Sequence, residues 1–179
     1  AFTDQGRHGF ANNSTRPAGP NVFHNSVASN AHSDTGPHQR WATGTLFDQV
    51  HVQGHDINVR NRETFGTRHG WSGANMVVWN SSADNIRVQN PPTAQNWLIG
   101  SVGNLVEDTT FGPQPSGYYD SHGTPIEDIP SLYDAQVDDG ADVEAYTWSG
   151  GDGNWEDAQG WDQQATPLKR SVQHRDYLV

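Results

Sequence analysis

Three observations predict an all-β chain whose main unit is a short parallel β-helix. Convincing helix is scarce. The β-rich stretches run only three to five residues and are bounded by Asn, Gly, Asp and Pro. Several of them also look alike: "VFHN", "LFDQ" and "VVWN" form one set, "INVRNRE" and "IRVQNPP" another. Strands this short are poor material for a sandwich, whereas a solenoid closes each coil with turns and stacks like on like. Another all-β fold is the alternative.

Taken in chain order, "VFHNSVASN" has β character before polar punctuation. Two brief pieces follow, Leu46–Val52 and Ile57–Arg60, then Met76–Trp79, a polar turn, Ile86–Gln89, another turn and Trp97–Ile99. Stacking predicts that Phe23, Phe47 and Val78, 24 and 31 residues apart, occupy one inward column. The longer interval then holds an outward loop, "ETFGTRHGWSG", and Asn61 and Asn90 fall at matching turns. Residues 1–111 are therefore read as coils. Residues 112–140 are turn-rich until Pro130 leads into a helix, "SLYDAQVDD", with Leu132, Tyr133, Gln136 and Val137 on one side. That helix is expected to cap an end of the solenoid. Residues 141–179 are read as a Trp/Gly-rich module in which Trp148, Trp155 and Trp161 are expected to supply aromatic packing.

The charge balance narrows the partners. Ten basic residues stand against 21 acidic ones, for a formal net charge of −11, which disfavours nucleic acid and anionic membranes. Lys169 is the one lysine; arginine, a fixed bidentate cation, supplies the remaining positive charge and suits carboxylated or sulfated sugars as well as internal ion pairs. With no cysteine, disulfide frameworks, thiolate zinc sites and thiol nucleophiles are excluded. No stretch reaches transmembrane length, so membrane insertion is not expected. Ala1 reads as a processed or internal start. Asn12, Asn13 and Asn80 sit in glycosylation acceptor patterns.

The strings "GPNVFHN", "SDTGPHQRWATGTLFD", "HGWSGANMVVWN" and "NPPTAQNWLIG" resemble the final coils of bacterial secreted right-handed parallel β-helix proteins of pectate-lyase-like type, and "GYYDSHGTPIEDIPSLYDAQ" is similar to their capping segment. The resemblance covers roughly residues 1–138. It implies a right-handed parallel β-helix with a C-terminal cap, in a secreted, extracellular or cell-surface protein that faces carbohydrate. "TWSGGDGNWEDAQGWD" resembles a Trp/Gly-rich module of autotransporter-type surface proteins, which also points outside the cell.

Two clusters carry candidate chemistry. In the first, His38 and Arg40 lie two apart, which places both on one side of a strand, with Asp34 just upstream. A polysaccharide lyase needs a cation for the uronate carboxylate, a base near the sugar C5 proton and an acid for the leaving oxygen; Arg40 and His38 suit the first two roles, and Asp34 suits orientation of a histidine. The bland alternative has Asp34 fixing a Gly-Pro turn and Arg40 bridging to a neighbouring coil. In the second cluster, Arg68, His69, Trp71 and Asn75 meet the first across adjacent coils, and His69 joins the catalytic candidates. Trp41 and Trp71 offer flat faces for a pyranose, Arg68 and Asn75 polar contacts; core or loop anchoring is the competing role for each tryptophan. Asn96 and Trp97 read as a structural coil corner. No carboxylate pair stands out for glycoside hydrolysis, and no zinc, phosphate-loop, serine-nucleophile or nucleotide motif is present. No cofactor is expected, although "DDGAD" and "GGDGNWED" offer oxygen ligands for calcium.

Two function classes follow: engagement and eliminative cleavage of an acidic polysaccharide, or a non-enzymatic structural, adhesive or filament-forming role. The second draws on the solenoid's ends, where bare strand edges invite homo-oligomers or a head-to-tail filament.

Overall fold

The computed structural model describes residues 1–13, 20–107 and 110–141. Two compact units divide the chain, Ala1–Val137 and Asp138–Val179. The proposed Trp/Gly-rich module and its "GGDGNWED" loop lie outside the described residues.

Thirteen strands and two helices follow in order: β1 (Phe2–Asp4), β2 (Ala11–Asn13), β3 (Asn21–Ser29), β4 (Gly36–Gln39), β5 (Ala42–Thr43), β6 (Thr45–Val52), β7 (Ile57–Val59), α1 (Phe65–Arg68), β8 (Gly73–Ala74), β9 (Val77–Trp79), β10 (Ser82–Val88), β11 (Trp97–Ile99), β12 (Val102–Leu105), β13 (Tyr118–Asp120) and α2 (Leu132–Ala141). They form three sheets, and the pairing between strands is parallel throughout. One sheet runs β1-β3-β6-β9-β11-β13 and also carries β7, β10 and β12; β2-β4 and β5-β8 are the other two. Together they are reminiscent of the cross-section of a β-helix.

Register follows the apolar residues. Phe23 pairs with Phe47, Phe47 with Val78, Val78 with Leu98, and Leu98 with Tyr119. The column expected from the 24- and 31-residue spacing is thus the column observed, extended by two coils. Phe47, Val78 and Leu98 are completely buried, and the Phe23 and Phe47 rings stack at 5.3 Å. Ile57, Val59, Ile86 and Val88 supply the opposing wall, with Ile57 over Ile86 and Val59 over Val88.

Corners of the coils use polar side chains as bridges, because a buried backbone group without a partner is costly. Asn96, fully buried, accepts from Met76 N and donates to the carbonyls of Gly73 and Gln89. Ser81 accepts from Val50 N and donates to Phe47 O, while Ser101 accepts from Ser81 N. The reading of Asn96 as structural fits this. Asn61 and Asn90 fall at equivalent positions, offset like Val59 and Val88, and each amide oxygen accepts from a nearby backbone N–H, Asn61 Oδ1 from Glu63 and Asn90 Oδ1 from Asn96.

Two local expectations are corrected. The polar turn placed between Met76–Trp79 and Ile86 is a corner only at Asn80, which has a positive φ of 42°; by Ser82 the chain is again a strand beside His51. The helix after Pro130 exists, but its start lies along the outer face of the main sheet, not over an end of the stack. Outward-facing Leu46, Trp79 and Ile99 pack with Ile126, Ile129 and Leu132. Asn80 binds Ile126 through both backbone groups, and Trp79 Nε1 donates to Ile129 O at 3.0 Å. Buried Asp48 then accepts from Ser131 Oγ and Tyr133 N, each at 2.7 Å, at the helix N-terminus. These contacts also use the amides of two glycosylation patterns, since Asn80 binds this segment and Asn12 donates to Thr45 Oγ1.

Truncating the column should expose its role. Phe47→Ala removes a completely buried ring from between two coils, and we expect it to cost about 3–5 kcal/mol, read as a lowered urea midpoint at unchanged slope.

Candidate functional site

Coil stacking brings three histidines into one column. His8, His38 and His69 lie on successive coils, with ring centroids 4.8 Å apart for His8–His38 and 5.0 Å for His38–His69. The 31-residue interval from His38 to His69 equals the coil length between Ala42 and Gly73. The 30 residues from His8 to His38 exceed the 25-residue register between Ala11 and Gly36, so His8 reaches the column from outside the strand register. All three rings are half-buried.

Asp34 and Arg62 bind the column together. Asp34 is buried at the start of the β4 coil and accepts from Asn58 Nδ2 at 2.9 Å. Its carboxylate lies 3.2 Å from His8 Nδ1 and 3.5 Å from Arg62 Nη1. His8 Nδ1 is also 2.9 Å from the Asp34 carbonyl, so this nitrogen carries the proton. Arg62 Nη1 reaches His38 Nδ1 at 3.4 Å. Arginine only donates, so His38 Nδ1 accepts and Nε2 is its N–H. Two glycines make the approach possible. Gly36, with φ of +137°, lies where a Cβ would collide with the Asn58 carbonyl; Gly66, with φ of +55°, lies where a Cβ would collide with the His69 ring.

Electrostatics follow from this packing. Burial acts to raise the Asp34 pKa, but the Asn58 hydrogen bond and the charges of Arg62 and His8 outweigh it, leaving the carboxyl below its ordinary value. Desolvation, then the Arg62 charge, hold His38 below the usual imidazole value, and the same two causes lower His69. Both rings therefore favour the neutral form. His69 Nδ1 is buried and makes no hydrogen bond.

The remaining sequence candidates surround the column. β4 ends at Gln39, so strand alternation does not extend to Arg40, which has a left-handed φ of 54° and is exposed. Its guanidinium crosses to the next coil, where Nη2 donates to the carbonyl and the hydroxyl of Thr67. Trp41 N donates to Trp71 O at 2.8 Å, and both indoles are half-buried. The expected outward loop is present, with the single turn α1 inside it; Arg68 and Asn75 are exposed, with φ of 61° and 54°. Arg40, Trp41, Arg68 and Asn75 thus hold left-handed backbone conformations, as do non-glycine residues elsewhere along the coils such as Asn25, Asn30, Gln49 and Asn80. The His38 and His69 rings meet directly and Asp34 reaches His38 through Arg62, while Arg40 and Arg68 flank them and Trp41, Trp71 and Asn75 line neighbouring corners.

Sequence reasoning missed His8, Asn58 and Arg62. Spacing gave no signal for His8, because its 30-residue offset from His38 differs from the 25-residue register of the first two coils. Among the described residues, no group of three or more His, Asp or Glu side chains is arranged to hold a metal ion. The histidine column itself has Arg62 beside it, which opposes a further cation.

The lowered pKa values fix a sign. An unfolded histidine titrates near about 6.5, and His38 and His69 lie below that in the fold. As pH falls through that value the unfolded chain takes up protons first, so stability falls toward acid. Urea midpoints should drop between about pH 7.5 and about pH 5.5, and His38→Gln should flatten the slope. A slope unchanged by that substitution would remove His38 as its source.

Comparisons with protein-family models, curated proteins and solved structures return no match.

Proposed function

We propose that the protein is an extracellular, carbohydrate-engaging right-handed parallel β-helix whose histidine face binds an acidic polysaccharide. The single observation that carries this reading is the His8–His38–His69 column with arginines beside it in a protein of net charge −11. A local cationic, aromatic-flanked face on an acidic body selects a ligand whose own charge is negative and whose rings can stack. Arg40 is exposed at that face, and Trp41 and Trp71 lie at its corners. The likeness of residues 1–138 to secreted pectate-lyase-like coils supports the same ligand class.

The same groups suit eliminative cleavage. A neutral imidazole removes the uronate C5 proton, the electron pair forms the C4–C5 double bond, and the C4 oxygen leaves with a proton from an acid. Lowered pKa values keep His38 and His69 neutral near neutral pH. Arg62 occupies His38 Nδ1 in the structure, so proton uptake there requires that contact to open.

A second reading, a non-enzymatic structural or adhesive protein, is favoured by the strand edges. Phe2 on β1, Val102 and Leu105 on β12, and Tyr118 on β13 are all exposed. Parallel strands with apolar side chains at both edges suit head-to-tail self-association.

One panel separates the readings: polygalacturonate, alginate, hyaluronan and heparin, each tested for binding and for unsaturated product absorbing in the ultraviolet. We expect binding of at least one, weakened about tenfold or more by Arg40→Ala. Product formation assigns the lyase step. Absence of any binding, with light scattering showing concentration-dependent assembly, favours the structural role.

A further inference from the structure

A small open recess of about 100 Å³ lies beside Arg87 on β10, away from the histidine column. Arg87, Glu107, Gln114 and Ser116 give it polar walls, and Val106 and Pro113 give it an apolar one. Tyr119 forms part of the lining, with its hydroxyl fixed to Val88 O at 2.7 Å. This mixture is what a single sugar ring needs: an apolar surface for its C–H face, acceptors and donors for vicinal hydroxyls, and a guanidinium for a carboxylate.

The recess is tied to the histidine face by side chains. Asn58 donates to Asp34 through Nδ2 and accepts from Arg87 through Oδ1, so Asp34, Asn58 and Arg87 form one polar row across three coils. The next residues are joined as well. Asn61 donates through its backbone to Gln89 Oε1 and through its amide to Gln114 Oε1, while Arg62, its neighbour, reaches Asp34 and His38. The Asn61–Arg62 segment is thus the wall between the two places. With strands about 4.8 Å apart, Asp34 and Arg87 stand two coils apart, a span that an extended glycan covers in a few residues.

We infer that the recess beside Arg87 is a second sugar-binding position, holding one ring of an acidic glycan whose chain crosses the coils from the histidine column. This rests on the glycan reading of that column. It makes glycan length, not only charge, a determinant of affinity.

The test uses oligomers, from dimer upward, of whichever acidic polysaccharide in the panel binds, with affinity measured by calorimetry on the full chain. Wild type should show a step of about tenfold where the oligomer becomes long enough to reach the recess. Ser116→Phe, at an exposed lining position, should fill the mouth and abolish the step. Glu107→Ala, also exposed, should reduce it about threefold and keeps the test available if the larger substitution perturbs folding, which thermal melts would show. Arg40→Ala should lower affinity for all lengths in parallel and leave the step intact. A wild-type affinity without a length step, or a step that survives both recess variants, overturns the recess alone. Failure of every polysaccharide to bind overturns the recess together with the reading on which it rests.

Discussion

Everything in the main unit depends on one constraint: each coil must return an apolar side chain to the same inward column. Phe23, Phe47, Val78, Leu98 and Tyr119 meet in register, and the parallel ladders on either side follow from that alignment. Strands of two or three residues have too few hydrogen bonds to set their own register. Burial of the column sets it for them. Once the inward residues are stacked, the outward ones are stacked too, and His38 and His69 become neighbours without any local preference for one another; His8, outside that register, joins them through its contact with Asp34.

Corners and outer face solve a second problem, the backbone polar groups left where coils turn. Asn96, Ser81 and Ser101 meet these groups from inside, each spanning from its own coil to the next. Outside, Asn80 and Asp48 take up the backbone of the segment from Ile126 to Tyr133. A buried carboxylate at a helix N-terminus meets amide donors and the favourable end of the dipole. It also explains why a helix with little apolar character starts where it does: Ser131 caps it, accepting from Asp134 N, while Asp48 holds Ser131.

The histidine face gathers arginines and imidazoles on a strongly acidic chain. Arg62 lies against Asp34 and His38, and its charge, added to desolvation, keeps the nearby imidazoles neutral. Arg40 reaches across a coil to Thr67 and ties the outward loop to the β4 corner. The arginines serve as internal struts and, in the proposed function, also as the positive charge that a polyanionic ligand meets. These uses are compatible, because a guanidinium has five donors in a plane and a strut occupies only some of them.

By itself, the sequence determined the parallel all-β architecture and the inward column, because apolar residues recur at coil length and turn residues punctuate them. It also marked Asp34, His38, Arg40 and His69 as the chemically dense stretch. Tertiary structure alone decided which of these touch. Arg40 lies two residues from His38, and alternation predicts one shared face, yet a left-handed residue at the strand end redirects it to Thr67. Asp34 pairs with His8 and Arg62, residues 26 and 28 positions away, as well as with the hydroxyl of its neighbour Ser33. The path of the helix start along the outer face was equally invisible, since a short amphipathic pattern does not say which surface will cover it. Local pattern encodes the period of a coil; the contacts between coils depend on side chains that only stacking brings within reach.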